Sequence, residues 1–311
     1  MASSNNPMLP RPPPMTAKEV QARMEALLAV LVTSLSSKVD TPDMVDRPVE
    51  GFDAYCPGGY CPINVGQRLK TDVGLFVVHH KLGFGPSSTV WLVEGKTPCC
   101  EESFHALKIL RADLSQGFRH HEEEVLTLLG QANTTTPRYP HIIYYTGQFY
   151  MNSPNGRHLC FLQRPYGPSL KDLRVLQGLT YQTRLWVCEQ VASALEALHN
   201  LDPTICHSAI RPEHILFELP TTPITGTASI NSTLGPIRTH AMPHINLLLY
   251  SPRRPYYLIA PAEFKLPARS LHKIVLTGFG RSFIDRRPTT TAAANRAVAT
   301  DNEPAAAAAA L

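Results

Sequence analysis

The chain has 311 residues, of which 43% are hydrophobic and 17% charged, and its formal net charge is +4. This is enough for one large or two smaller domains with a buried core. Lys and Arg form no run that would indicate nucleic-acid binding, and no apolar run reaches the length of a membrane span. The seven cysteines come without a signal peptide, which predicts reduced thiols in the cytoplasm or the nucleus.

The first fifty residues predict a disordered leader, a helix and a linker. Residues 1–15 are rich in Pro, Asn and Ser, which is typical of disorder. Thr16 and Glu19 have the spacing of a capping box, so a helix should begin at Thr16 within a segment that runs from 16 to 50. We expect this helix to pack on its own domain or to be loosely attached, and a docking or dimerisation helix is the alternative.

Residues 51–163 predict a small lobe of five strands and one helix. Short segments rich in Val, Leu and aromatic residues alternate with turns that contain Gly, Pro and Ser. The predicted strands are Phe76–Leu82, Thr89–Glu94, Phe104–Leu110, Ile142–Met151 and His158–Gln163. The predicted helix, residues 119–129, lies between the third and fourth strands.

Residues 164–285 predict a partial, mostly helical large lobe with an irregular insert at 220–270, and residues 286–311 predict a disordered tail. The clearest element is a helix from Thr180 to His199. Its apolar positions at helical spacing are Leu185, Cys188, Ala192, Leu195 and Leu198. We expect this apolar face to be covered by residues 220–270, by the N-terminal helix or by a partner, or to remain as an exposed patch.

A glycine-containing turn and a lysine suggest a phosphate site. Gly83 and Gly85 lie between the first two strands, where glycine lets the backbone approach an anion, although a plain β-turn is the alternative. The third strand carries Ala106-Leu107-Lys108-Ile109, which is similar to the V-A-I-K string of protein kinases. By that resemblance Lys108 contacts phosphates and is oriented by a helix glutamate. Glu124 is the best candidate, and its neighbours Glu122 and Glu123 stay open.

The region from His207 to His214 has the frame of a kinase catalytic loop, H-x-D-x-K-x-x-N, without its functional residues. Ala209 stands at the aspartate position and His214 at the asparagine position. Further on, Gly278-Phe279-Gly280 resembles D-F-G with glycine for the aspartate. In kinases the first aspartate accepts the substrate proton, and the asparagine and the second aspartate hold Mg²⁺. Neither a methyl group nor a hydrogen atom can perform these tasks.

Several strings in the same order resemble the SR-protein kinase family. They are Tyr55–Gly66, Gly83–Leu92, Asn155–Cys160 and Pro165–Leu170. The resemblance covers about residues 50–220 and resumes near 273–283. It implies an α+β, protein-kinase-like fold and a nucleotide site. The implied nucleotide-binding residues are Leu82, Gly83, Phe84, Gly85, Ser88, Val90, Ala106, Lys108 and Glu124.

The departures from the family pattern favour a pseudokinase with a binding or scaffold role. ATP is the candidate ligand, whereas the changed positions argue against Mg²⁺, and neither the cysteines nor the histidine pair His120-His121 predicts a metal site. The expected partner is an unidentified protein, with no direct contact to nucleic acid or membrane. Two alternatives stay open: a weakly active serine/threonine kinase that recruits Glu213 or Asp285, and a truncated relic without function.

Overall fold

The computed structural model describes residues 49–97, 100–115, 121–135, 139–219, 226–240, 253–267 and 270–286. All of them belong to the second of two units, Met1–Arg47 and Pro48–Leu311. The predicted N-terminal helix and most of the predicted tail lie outside the described residues.

The described secondary structure is a set of strands with four helices among them. The strands are β1 (Arg68–Thr71), β2 (Gly74–Gly85), β3 (Ser88–Thr97), β4 (Cys100–Leu110), β5 (Tyr145–Ser153), β6 (Gly156–Gln163), β7 (Thr204–Cys206), β8 (Ile215–Phe217), β9 (Thr239–His240), β10 (Leu258–Ile259), β11 (Ile274–Leu276) and β12 (Phe283–Asp285). The helices are α1 (His121–Thr135), α2 (Leu173–Gly178), α3 (Tyr181–His199) and α4 (Gly226–Leu234). Three-residue 3-10 turns occur at Phe52–Ala54, Pro212–His214 and Phe279–Arg281.

The small lobe is an antiparallel sheet with the strand order β1-β2-β3-β4-β6-β5. The fold class is therefore α+β, consistent with a partial protein-kinase-like fold, as the sequence predicted. The predicted number of strands was one too low, because β1 reads Arg-Leu-Lys-Thr and lacks an apolar run. Trp91, Val93, Leu107 and Ile109 are buried together on one face of the sheet, so the alternate residues of β3 and β4 face the other way.

The segment before β1 folds back onto the end of this sheet. The amide of Gly58 donates to the carbonyl of Asn155 at 2.8 Å, and the amide of Ala112 donates to the carbonyl of Gly59 at 3.0 Å. A Cβ on Gly59 would lie 2.0 Å from the carbonyl oxygen of Ala54, so only glycine allows this close approach. The segment is thereby fixed beside the β5–β6 turn and the end of β4.

Helix α1 packs between the sheet and the first part of the large lobe. Val125, Leu126 and Leu129 on α1 share a buried cluster with Phe161 on β6 and with Phe279 of the last 3-10 turn. The same cluster continues into two short antiparallel pairs, β8 with β11 and β7 with β12. These pairs bring the 207–214 loop next to the 277–281 segment.

Helix α3 confirms the predicted helix, but its buried face overlaps the predicted apolar face only in part. Its buried residues are Val187, Ala194 and Leu198, and the residues partly buried against the same cluster are Val191, Leu195 and Ala197. Of the predicted apolar face, Leu185 is 39% exposed, and the neighbouring Trp186 is 46% exposed. Residues of the predicted insert do not cover this exposed side in the ranges that the structure describes.

Part of the predicted insert is ordered, which corrects the prediction of an irregular segment. Helix α4 and the β9–β10 pair lie within it. Ile230 and Leu234 of α4 pack against Leu92 on β3, so this part of the chain contacts the small lobe. None of the described helices has the length and hydropathy of a membrane span.

Candidate functional site

A lysine on the sheet and a glutamate on α1 form an almost buried ion pair. Lys108 lies in register with Val90 on β3 and with Phe161 on β6. Its Nζ donates to Oε1 of Glu122 in the first turn of α1. The two side chains are 14% and 3% exposed. The carboxylate fixes the ammonium at the surface of the sheet, and the ammonium has further N–H donors for an anionic ligand.

The prediction that Glu124 is the best candidate for the partner of this lysine is wrong, and the partner is Glu122, which the sequence left open. Successive helix residues are rotated by about 100°, so Glu124 points to the opposite side of α1 from Glu122. Oε1 of Glu124 accepts a hydrogen bond from Arg286 at 2.6 Å, and Oε1 of Glu123 accepts one from Gln148 at 2.5 Å. Three consecutive glutamates look alike in the sequence, and the orientation of the first helical turn selects among them.

The two predicted phosphate-site glycines lie in a tight hairpin. Gly83 pairs with Val90 and Gly85 pairs with Ser88, which leaves Pro86 and Ser87 as the turn. A Cβ on either glycine would meet no atom within 4 Å. The packing of the hairpin therefore does not require glycine at these positions. The missing Cβ atoms do leave room for a ligand to approach the backbone closely.

The outer side of this hairpin is held by aromatic and charged residues. The hydroxyl of Tyr60 donates to the carbonyl of Gly85 at 2.7 Å. Lys81 lies with its Nζ 5.2 Å from the centre of the Phe84 ring and 5.4 Å from that of Trp91. Because Trp91 is on the face opposite to Lys108, the ring of Phe84 points away from the proposed site. The structure thus leaves only the backbone of Phe84 for the predicted ligand contact.

Three of the predicted site residues share the face of the sheet that carries the ion pair. Val90 is opposite Lys108, and Ala106 lies two residues before Lys108 on the same strand. Leu82 packs at the edge of this face against the cluster around α4. The remaining predicted residue, Ser88, is 6% exposed and buried within the hairpin.

The catalytic-loop frame is held by a buried histidine. Nε2–H of His207 donates to the carbonyl of Thr277 at 2.9 Å, and Nδ1 accepts from the amide of Ala209 at 3.3 Å. The His207 ring lies 4.7 Å from the ring of Phe279. Burial lowers the pKa of His207, so the neutral ring fits these two contacts. The loop and the 277–281 segment are therefore held together without a charged group.

The His214 ring fills the space that a side chain at position 278 would need. Gly278 has φ +84° and ψ 42°, in the left-handed region. A Cβ built there would lie 2.5 Å from Cγ and Cδ2 of His214 and 2.8 Å from Nδ1. Nδ1–H of the ring donates to the carbonyl of Ala209 at 2.7 Å, which fixes the ring in this position. The substitutions at 214 and 278 are thus sterically coupled.

These residues do not fit Mg²⁺. The ion prefers oxygen ligands in octahedral geometry. Ala209, His214 and Gly278 instead supply a methyl group, an imidazole and a hydrogen atom. Within the described parts of the chain, no group of three or more His, Cys, Asp or Glu side chains could hold a metal ion.

The arrangement of sheet, helix and loop defines a protein of the protein-kinase-like class. No protein-family model matches the chain. It is 28% identical over 183 residues to the serine/threonine-protein kinase SRPK of Physarum polycephalum, which covers 58% of this chain and 41% of the relative. It is 30% identical over 183 residues to SRSF protein kinase 3 of Mus musculus, covering 55% and 30%. It is 27% identical over 195 residues to protein kinase dsk1 of Schizosaccharomyces pombe, covering 58% and 34%.

These matches support the resemblance seen in the sequence, and the chain is an SR-protein-kinase-like protein. The matched segment spans less than half the length of each of these curated relatives.

Proposed function

We propose that this chain is a pseudokinase that binds ATP without Mg²⁺, transfers no phosphoryl group and serves a protein-binding role. The observation that carries the proposal is the His214 ring in the space next to Gly278. That ring excludes a carboxylate from the position where a kinase holds its metal ion. In addition, Ala209 lacks the carboxylate that accepts the substrate proton in kinases. Loss of a general base alone costs about 10²–10⁴ in rate.

ATP binding is proposed on what the cleft retains. Lys108 keeps its ion pair with Glu122, and a Cβ on Gly83 or Gly85 would meet only open space. Compared with the kinase pattern, two aspartates have become neutral residues, which makes the phosphate region more positive by two charges. This favours an anionic ligand without a divalent ion, since Coulomb interactions are strong where water is partly excluded.

Binding is tested by a thermal-shift titration with ATP in EDTA. We expect a rise in Tm with the wild-type protein and a loss of that rise in Lys108→Ala. Lys70→Ala, an exposed lysine on β1, is the matched control and should behave as wild type. No shift at millimolar ATP would refute nucleotide binding.

Phosphotransfer is tested by incorporation of labelled phosphate into an Arg/Ser-rich peptide with Mg²⁺ or Mn²⁺. We expect the wild-type protein to give no more label than Lys108→Ala. Label that depends on Lys108 would overturn the pseudokinase proposal and favour the weakly active kinase. Glu213 is a poor general base, because a hydrogen bond with its own backbone lowers the pKa of its carboxyl. If label appears, the Glu213→Gln variant shows whether this residue is recruited.

The protein-binding role is proposed on the exposed side of α3. Tyr181 is 77% exposed, and Leu185 and Trp186 are also exposed. Contiguous apolar side chains at a surface are typical of interaction sites. A photoreactive crosslinker on the exposed thiol of Cys188 should give one discrete protein adduct in extract of the source cells, and the Leu185→Glu variant should lose it. Absence of any discrete adduct would contradict this role. We expect the protein to act in the cytoplasm or the nucleus. Cooperative unfolding of the chain would argue against the alternative of a truncated relic without function.

A further inference from the structure

Two described stretches, residues 226–240 and 253–267, form a unit that we call the strap. Its parts are joined by backbone hydrogen bonds. The amide of Glu263 donates to the carbonyl of Leu234 at 2.8 Å, and the amide of Lys265 donates to the carbonyl of Thr233 at 2.9 Å. The amide of Ala260 also donates to the carbonyl of Arg238 at 2.9 Å. The strap therefore has a defined structure of its own, which a solvated linker would not have.

The strap is attached to the edge of β2 next to the glycine hairpin. The amide of Ala262 donates to the carbonyl of Lys81 at 2.8 Å, two residues before Gly83. β1 pairs only with the first part of β2, Gly74–Val77, so this bond occupies a stretch of edge beyond β1. An unpaired strand edge is costly to leave uncovered, and the strap satisfies part of it.

The strap also packs on the face of the sheet that carries Lys108. Leu92 lies opposite Ala106 and therefore on the same face as Lys108. Around Leu92 the strap contributes a compact apolar cluster, into which Leu82 and Phe104 of the sheet also pack. The strap residues of this cluster are Ile230, Leu234, Ala262 and Phe264. The strap thus reaches from the edge of β2 to the site face.

The end of the strap around Leu266 lies against the connection between the two lobes. That connection, residues 164–168, follows β6, and the amide of Gly167 donates to the carbonyl of Phe217 on β8 at 2.7 Å. A Cβ on Gly167 would lie 3.5 Å from Cδ1 of Leu266, which is ordinary van der Waals contact. Residues 262–266 therefore run from β2 in the small lobe to the lobe connection. They pass beside Leu82, at the edge of the sheet face that carries Lys108.

We propose that the strap is a gate that controls the entry and release of the nucleotide. This inference rests on the proposed nucleotide site. In the closed state residues 262–266 cover the edge of the site beside Leu82. The ligand enters when these residues detach from β2. A packed segment that opens locally slows both association and dissociation, whereas the affinity changes less.

The test uses one nucleotide-independent and one nucleotide-dependent measurement. A cysteine introduced by Ala106→Cys, on the site face, is labelled with iodoacetamide, and labelling of its peptide is followed by mass spectrometry. Stopped-flow fluorescence with a labelled ATP in EDTA gives the rate constants of nucleotide association and dissociation. The labelling rate and the nucleotide rate constants are measured with the wild-type strap, with Phe264→Ala and with Ile237→Ala. Ile237 is a strap residue that is 40% exposed and lies outside the apolar cluster.

We expect Phe264→Ala to raise the labelling rate and both nucleotide rate constants by about tenfold, because the contact of a partly buried aromatic ring with the apolar cluster is lost. Ile237→Ala should change none of them. Labelling at an unchanged rate in Phe264→Ala would overturn the gate. Faster labelling with no nucleotide binding in any variant would support a strap that covers this edge of the site and would refute the nucleotide proposal instead.

Discussion

The steric coupling of positions 214 and 278 makes the Gly278→Asp substitution informative. Gly278 has φ +84°, and a residue with a Cβ in the left-handed region costs about 1–2 kcal/mol. The new Cβ would also lie within 2.8 Å of three atoms of the His214 ring. Overpacking of this kind costs about 1–3 kcal/mol. We therefore expect Gly278→Asp to lower the free energy of unfolding by about 2–5 kcal/mol.

Gly66 provides the matched control. It has φ +80°, almost the same backbone conformation, and a Cβ there would meet no atom within 4 Å. Gly66→Asp should cost only the conformational part, about 1–2 kcal/mol. The difference between the two variants measures the collision with the histidine ring.

Urea unfolding followed by circular dichroism gives both values, together with a double-mutant cycle between Gly278→Asp and His214→Ala. Removal of the ring should reduce the cost of Gly278→Asp to that of Gly66→Asp, with a coupling of about 1–3 kcal/mol. If Gly278→Asp costs no more than Gly66→Asp, or if the cost is the same with and without the ring, the space next to Gly278 is not filled as we describe.

Three further predictions concern the small lobe. Glu50→Ala should destabilise the fold by about 3–5 kcal/mol in urea unfolding, because it leaves the fully buried Lys81 without its carboxylate partner. The control Asp53→Ala, at an exposed position, should leave Tm unchanged. Burial lowers the pKa of His80 below its unfolded value, so the stability contributed by its neutral ring is fully present above about pH 6.5 and is lost as the pH falls towards the folded pKa. His80→Gln should therefore flatten the decline of the unfolding free energy between about pH 7.5 and 5.5. An unchanged slope would contradict this. Gly85→Ala should weaken ATP binding in isothermal titration without lowering Tm, and equal affinity would show that the hairpin is a plain turn.

The local patterns of the sequence predicted the main elements of the small lobe. Short segments rich in Val, Leu and aromatic residues between turn residues identified the strand around Trp91 and the strand that carries Lys108, because composition and turn residues are local properties. Strand β1 was missed, since Arg68–Thr71 pairs along the edge of β2 without an apolar run of its own. Its existence depends on the partner strand, which local periodicity does not contain.

The errors at the helices have a different cause. Helix α3 has apolar residues on more than one side, so both Leu185 and Val187 belong to stripes at helical spacing, and only packing against the rest of the domain decides which one is buried. The same ambiguity made Glu124 look the best partner for Lys108, although Glu122 is the one that pairs with it. In both cases the sequence predicted the helix but did not determine which of its neighbouring residues face the core or the site.

The substitutions at the site are visible in the sequence as three separate losses, but the structure relates two of them. The His214 ring is fixed by its hydrogen bond to the carbonyl of Ala209 and occupies the volume beside Gly278. A reversion at 278 alone therefore cannot restore a metal ligand, because its side chain would collide with that ring. A reversion to asparagine at 214 alone would restore one ligand side chain but would leave a glycine at 278, which has no ligand atom in its side chain. On the proposed function, a metal site would therefore need both changes together, and turnover would also need an aspartate in place of Ala209.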